Sequence, residues 1–164
     1  MKLKSMYFIS NPDYEDGEVI PRDSYYGSKL ANLLKITNLA SDTLIISSIE
    51  GASRAIAKVI SSAIGRGYVA YGDLWGSNSN PNKTTSKAKC EFSIPKATNI
   101  IMKDIYDYTV VVVVMNQRYA KPVLTCVAEH LSRQTHICDG EFEVMHLDAS
   151  GSTVKVSKET FSKY

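Results

Sequence analysis

The chain has 164 residues, a formal charge of +2, and apolar and charged fractions of 44% and 22%. That length supports one domain with a proper core, and the composition excludes a disordered or fibrous chain. The near-neutral balance lacks the basic footprint of a nucleic-acid binder. Met1 to Ser10 carries no signal-peptide pattern, and the apolar run 110–115 is too short to span a bilayer. Three cysteines, Cys90, Cys126 and Cys138, have no scaffold spacing, so reduced thiols in a cytoplasmic protein are expected.

Strand and helix patterns alternate along the chain. Residues 6–9 form a short apolar strand. Ser24 is placed to cap a helix reaching about Ile36, with Leu30, Leu33 and Leu34 on one face. Residues 44–47 read as a second strand, and 52–64 as a helix stopped by Gly65 and Gly67. Residues 68–71 read as a third strand, and 76–89 as an exposed loop carrying Lys83, Lys87 and Lys89. A helix follows over 97–107. The run of five valines in 109–115 is β-branched and unalternating, which predicts a strand buried on both faces at the centre of a sheet. A helix over 119–131 comes next, and residues 142–147 and 153–157 predict a closing hairpin around Asp148-Ala149-Ser150-Gly151.

This alternation predicts an α/β domain, a three-layer sandwich with a mostly parallel central sheet. In such sheets the ligand crevice lies beyond the carboxyl ends of the strands. Three strand-to-helix junctions fall there: residues 10–12, 48–54 and 116–118.

Met6-Tyr7-Phe8-Ile9-Ser10-Asn11-Pro12 looks like an opening strand with an R-H-G motif. Ser24-x-x-Gly27-x-x-Leu30-Ala31 resembles L-T-x-x-G-x-x-Q-A. Residues 47–57 lie without gaps on S-S-P-L-x-R-A-x-x-T-A, and Met115-Asn116-Gln117 resembles a late V-x-H-G or V-x-H-N element. In order and spacing the chain thus resembles the histidine phosphatase (phosphoglycerate mutase-like) superfamily, in its short single-domain phosphohistidine-phosphatase type. In that family the first His is the nucleophile, and two Arg with a second His hold the phosphoryl group. By position, the resemblance places those roles on Ser10 (Arg), Asn11 (nucleophilic His), Ala52 (Arg) and Asn116 (His), and all four are substituted. An imidazole lone pair attacks phosphorus near neutral pH, whereas a carboxamide nitrogen has its lone pair delocalised. Arg offers a planar charged fork, and Ser and Ala offer none. His130, His136 and His146 all lie outside the three junctions.

The implied pocket is therefore neutral, lined by Ser10, Asn11, Ala52, Asn116 and Gln117, with Arg54 the nearest cation and Arg118 and Arg22 as rim candidates. Phosphatase activity is expected to be lost, with no catalytic residue, no metal and no cofactor. What remains is a binding or regulatory module for a small ligand or protein partner. Its rivals are a hydrolase with a relocated mechanism using Asp73, Glu50 or Glu91, and a structural protein. Two other signals carry less weight. Tyr25-Tyr26-Gly27-Ser28-Lys29 matches a Y-x-x-x-K dehydrogenase pair, but no glycine-rich nucleotide turn precedes it. Cys126, His130, His136 and Cys138 are zinc-type ligands at no standard finger spacing.

Overall fold

The computed structural model describes residues 2–11, 21–74, 92–132, 134–140, 143–159 and 161. Among them the chain runs β1 (Ser5–Asn11), α1 (Pro21–Ile36), β2 (Thr43–Ser48), α2 (Gly51–Ile64), β3 (Tyr68–Tyr71), α3 (Ile94–Asp104), β4 (Val110–Asn116), α4 (Gln117–Leu131), β5 (Thr135–Ile137), β6 (Val144–Asp148) and β7 (Val154–Lys158). The expected loop 76–89 lies outside the described residues, as do Pro12 and Glu91.

The strands form one sheet in the order β3-β2-β4-β1-β6-β7-β5. The valine strand β4 has β2 on one side and β1 on the other, both parallel to it. Every residue of β4 is buried, as a run of β-branched side chains with no polar alternation requires. Its odd and even residues feed two separate cores. On one face Val111, Val113 and Met115 pack with Met6, Phe8 and the apolar sides of α3 and α4. On the other, Val110, Val112 and Val114 pack with Tyr7, Ile9, and Leu30 and Leu34 of α1 and Ile56 and Ile60 of α2. The three layers are thus helix pair, sheet, helix pair.

The sheet is mixed, not the mostly parallel sheet expected. β6 runs antiparallel to both β1 and β7. The cause is the closing hairpin: a tight turn can only join antiparallel strands, so one arm must oppose the strands already laid down. Asp148 holds that turn, accepting from the backbone N–H and hydroxyl of Ser150. β5 has no counterpart in the sequence reading. It is three residues long, half-polar, and among the described residues paired only to β7.

Boundaries differ where cap chemistry outweighs apolar periodicity. α1 opens at Pro21, three residues before Ser24, because proline's fixed φ suits a first helical turn. α3 opens at Ile94, capped by Ser93 Oγ accepting from Lys96 N–H, and its expected last three residues are a 3-10 turn, Ile105–Asp107. Gly65 does end α2, at φ +71°, where a side chain is strained.

Candidate functional site

β1 and β4 end side by side. Their register pairs Ser10 with Met115 and Asn11 with Asn116. The helices that follow part to opposite faces: α1 packs with α2 on one, α4 with α3 on the other. In parallel α/β sheets, such divergence between neighbouring strands marks the place of the ligand crevice, at their carboxyl ends. Sequence positions 105 residues apart are thereby brought together by the backbone alone.

Ser10 is buried, and its backbone N–H and its hydroxyl both donate to Glu143 C=O, at 2.9 and 3.4 Å. Asn11 is the last residue of β1. Asn116 is 1% exposed and caps α4, its Oδ1 accepting from Arg118 N–H at 2.8 Å. The cap satisfies one of the orphan donors of the first helical turn. Gln117 and Arg118 follow on the exposed start of α4.

Ala52 and Arg54 lie in the first turn of α2. Ala52 is buried and brings only a methyl group; Arg54 is exposed. The residue at the N-cap of α2 is Glu50, whose carboxylate accepts from Ser53 Oγ at 2.9 Å. A carboxylate there complements the positive helix end and competes with any incoming anion for the same field.

Sequence reasoning named Ser48 only as the edge of a junction. At the end of β2, this side chain is fully buried and its hydroxyl has no hydrogen-bond partner among the described residues. A buried unsatisfied hydroxyl costs about 1–3 kcal/mol. No pattern in a Ser-Ser pair could have shown which one is orphaned: Ser47 Oγ donates to Ser48 C=O. Glu143 was also missed. It lines a cavity of about 210 Å³ with Tyr26, Val144, Lys158 and Glu159, beside the end of β1.

The histidines stand apart from the crevice. His146 lies on β6 opposite Tyr7, stacked on its ring at 4.6 Å with Nε2 3.0 Å from Ser5 Oγ. Tyr7 is four residues before Asn11, roughly 13 Å along a strand. His130 Nδ1 lies 2.7 Å from Cys126 C=O, one helical turn back, and His136 is exposed on β5. Among the described residues no three His, Cys, Asp or Glu side chains are grouped to hold a metal ion. Asp73 is exposed in the 3-10 turn Gly72–Leu74. The Tyr25 and Lys29 pair has a surface explanation: the Lys29 ammonium lies 5.2 Å from the Tyr25 ring centroid, a cation–π contact at helical spacing. Among the described residues no helix is long and apolar enough to cross a membrane.

No family model matches the chain, and no curated protein matches it. Among solved structures it is similar to a mycobacterial glucosyl-3-phosphoglycerate phosphatase, at 11% identity and TM-score 0.49, over 94% of this chain and 96% of that one. It is also similar to mycobacterial hydrolase 1, at 12% identity and TM-score 0.47, over 96% of each chain.

Proposed function

We propose that this chain is a single cytoplasmic domain of the histidine phosphatase type that has lost phosphoryl transfer and serves as a ligand- or protein-binding module. The observation that carries the reading is the pairing of Asn11 with Asn116 at the carboxyl ends of adjacent strands. These are the positions at which the resemblance implies the two histidines. A phosphoryl-transfer site needs a nucleophilic lone pair and cationic donors focused on one point. Here the Asn116 carbonyl oxygen is committed to capping α4, Ala52 supplies a methyl, and Glu50 brings a negative charge to the start of α2.

On this reading the pocket keeps neutral groups, the Ser48 hydroxyl and the carboxamides of Asn116 and Gln117. Such groups suit an uncharged polar ligand or a peptide backbone, and they bind phosphate poorly because charged donors dominate anion affinity.

The test is an assay on p-nitrophenyl phosphate and on a phosphohistidine peptide, with Asn11→Ala as control. No turnover above background is expected. Turnover that disappears in Asn11→Ala would refute the inactive-domain reading and favour a hydrolase with a relocated mechanism.

A further inference from the structure

At the other end of the sheet, below the amino ends of β2 and β3, lies a cavity of about 500 Å³. It sits where α1 and α2 finish. Its lining is Lys35, Asn38, Ala40, Ser41, Ile64, Gly65 and Arg66, with no carboxylate among them. None of the side chains of Lys35, Asn38, Ser41 and Arg66 has a hydrogen-bond or ion-pair partner among the described residues.

A bland account of two cations at helix C-termini is that they neutralise the exposed carbonyls there. The chain itself meets part of that need. The carbonyls of Leu33, Leu34 and Lys35 accept from Thr37 N–H, Leu39 N–H and Asn38 N–H. Gly65 N–H and Arg66 N–H both return to Ser61 C=O. Asn38 holds φ +63° to make its turn, and Gly65 φ +71°. Two turns of fixed conformation thus present an ammonium, a guanidinium, an amide and a hydroxyl to one hollow, over a small apolar floor of Ala40 and Ile64.

We propose that this hollow is a binding site for a phosphate group carried on a small organic body. The guanidinium fork and the ammonium match the charge and the oxygens of a phosphate. The amide and hydroxyl can serve the remaining oxygens. The volume falls in the range of small-molecule sites and exceeds what a bare ion needs. A membrane surface is the poorer occupant, since the whole chain carries only +2 and the basic groups line a hollow rather than a broad face. The site is separate from the crevice, so neither reading depends on the other.

The experiment is a titration of the 15N-labelled full chain with inorganic pyrophosphate, read by amide shifts. Saturable shifts are expected at Asn38, Ser41, Gly65 and Arg66, with a Kd near or below ~1 mM. Lys35→Ala and Arg66→Ala should each weaken binding by about fivefold or more, and Lys58→Ala, an exposed cation elsewhere on α2, should not. Shifts scattered over all exposed cations, or a Kd untouched by both variants, would overturn the site. Pelleting with phosphatidylglycerol vesicles that both variants abolish would overturn the small-molecule assignment and give the phosphate to a lipid headgroup. Saturable shifts at Asn116–Arg118 instead would count against the neutral-crevice reading and leave the hollow without support.

Discussion

Two buried polar side chains at the carboxyl end of the sheet have opposite energetic standing. Asn116 works for the fold: its Oδ1 serves the Arg118 N–H, a first-turn donor that has no partner within the helix. Ser48 works against it, being equally buried with nothing among the described residues bonded to its hydroxyl. Asn116→Ala is therefore expected to destabilise by about 1 kcal/mol, the usual worth of an N-cap. Ser48→Ala removes an unsatisfied group at little cost in volume and is expected to stabilise by about 1 kcal/mol or more. Urea denaturation of both variants measures this, the sign at Ser48 being the decisive reading. A Ser48→Ala variant less stable than the parent would mean that the hydroxyl is satisfied after all.

Elements with strong chemistry of their own were legible in the sequence. The valine strand, the glycine stop at Gly65 and the closing hairpin rest on β-branching, a left-handed φ and turn residues, and each lies where those properties require. The junctions of the site followed, because a central strand and its neighbour fix where the carboxyl ends meet. What was not legible depends on tertiary placement. β5 has three residues and no pattern, the direction of β6 is set by its partner rather than its composition, and the burial of Ser48 depends on neighbours distant in the chain. The cation-lined hollow was invisible for the same reason, since Lys35 and Arg66 belong to different helix ends. Position in the sheet also governs the cost of truncation. Val112→Ala, fully buried at the centre, is expected to cost about 2–3 kcal/mol from lost methyl burial and the cavity left behind. Val69→Ala, 42% exposed on the edge strand β3, should cost under about 1 kcal/mol. Matched denaturation curves decide it, and equal losses would contradict the strand order.

The amino end of the sheet is tied by carboxylates. Asp42 accepts from the Thr109 hydroxyl and pairs with the Lys2 ammonium at 3.1 Å, joining the chain start to the entries of β2 and β4. Asp148 accepts from the Ser150 hydroxyl and amide, with His146 and Lys155 nearby, and closes the β6–β7 turn beside Ser5. The Thr109 hydrogen bond, aided by Lys2, holds the Asp42 carboxyl below the ordinary 3.8. The Ser150 hydrogen bonds do the same for Asp148. A carboxylate whose folded value is depressed contributes stability that is fully present above its unfolded value and lost as pH falls through the folded one. Unfolding free energy should thus change little between pH ~7 and ~5 on account of these two groups and decline below pH ~4. In Asp42→Asn and Ser150→Ala the loss at neutral pH should shrink as the pH is lowered, because acid removes from the parent what the substitution has already removed. Denaturation at a series of pH values tests this. A variant whose deficit stays constant down to pH ~2 would show that the depressed carboxylate is not what links these strands.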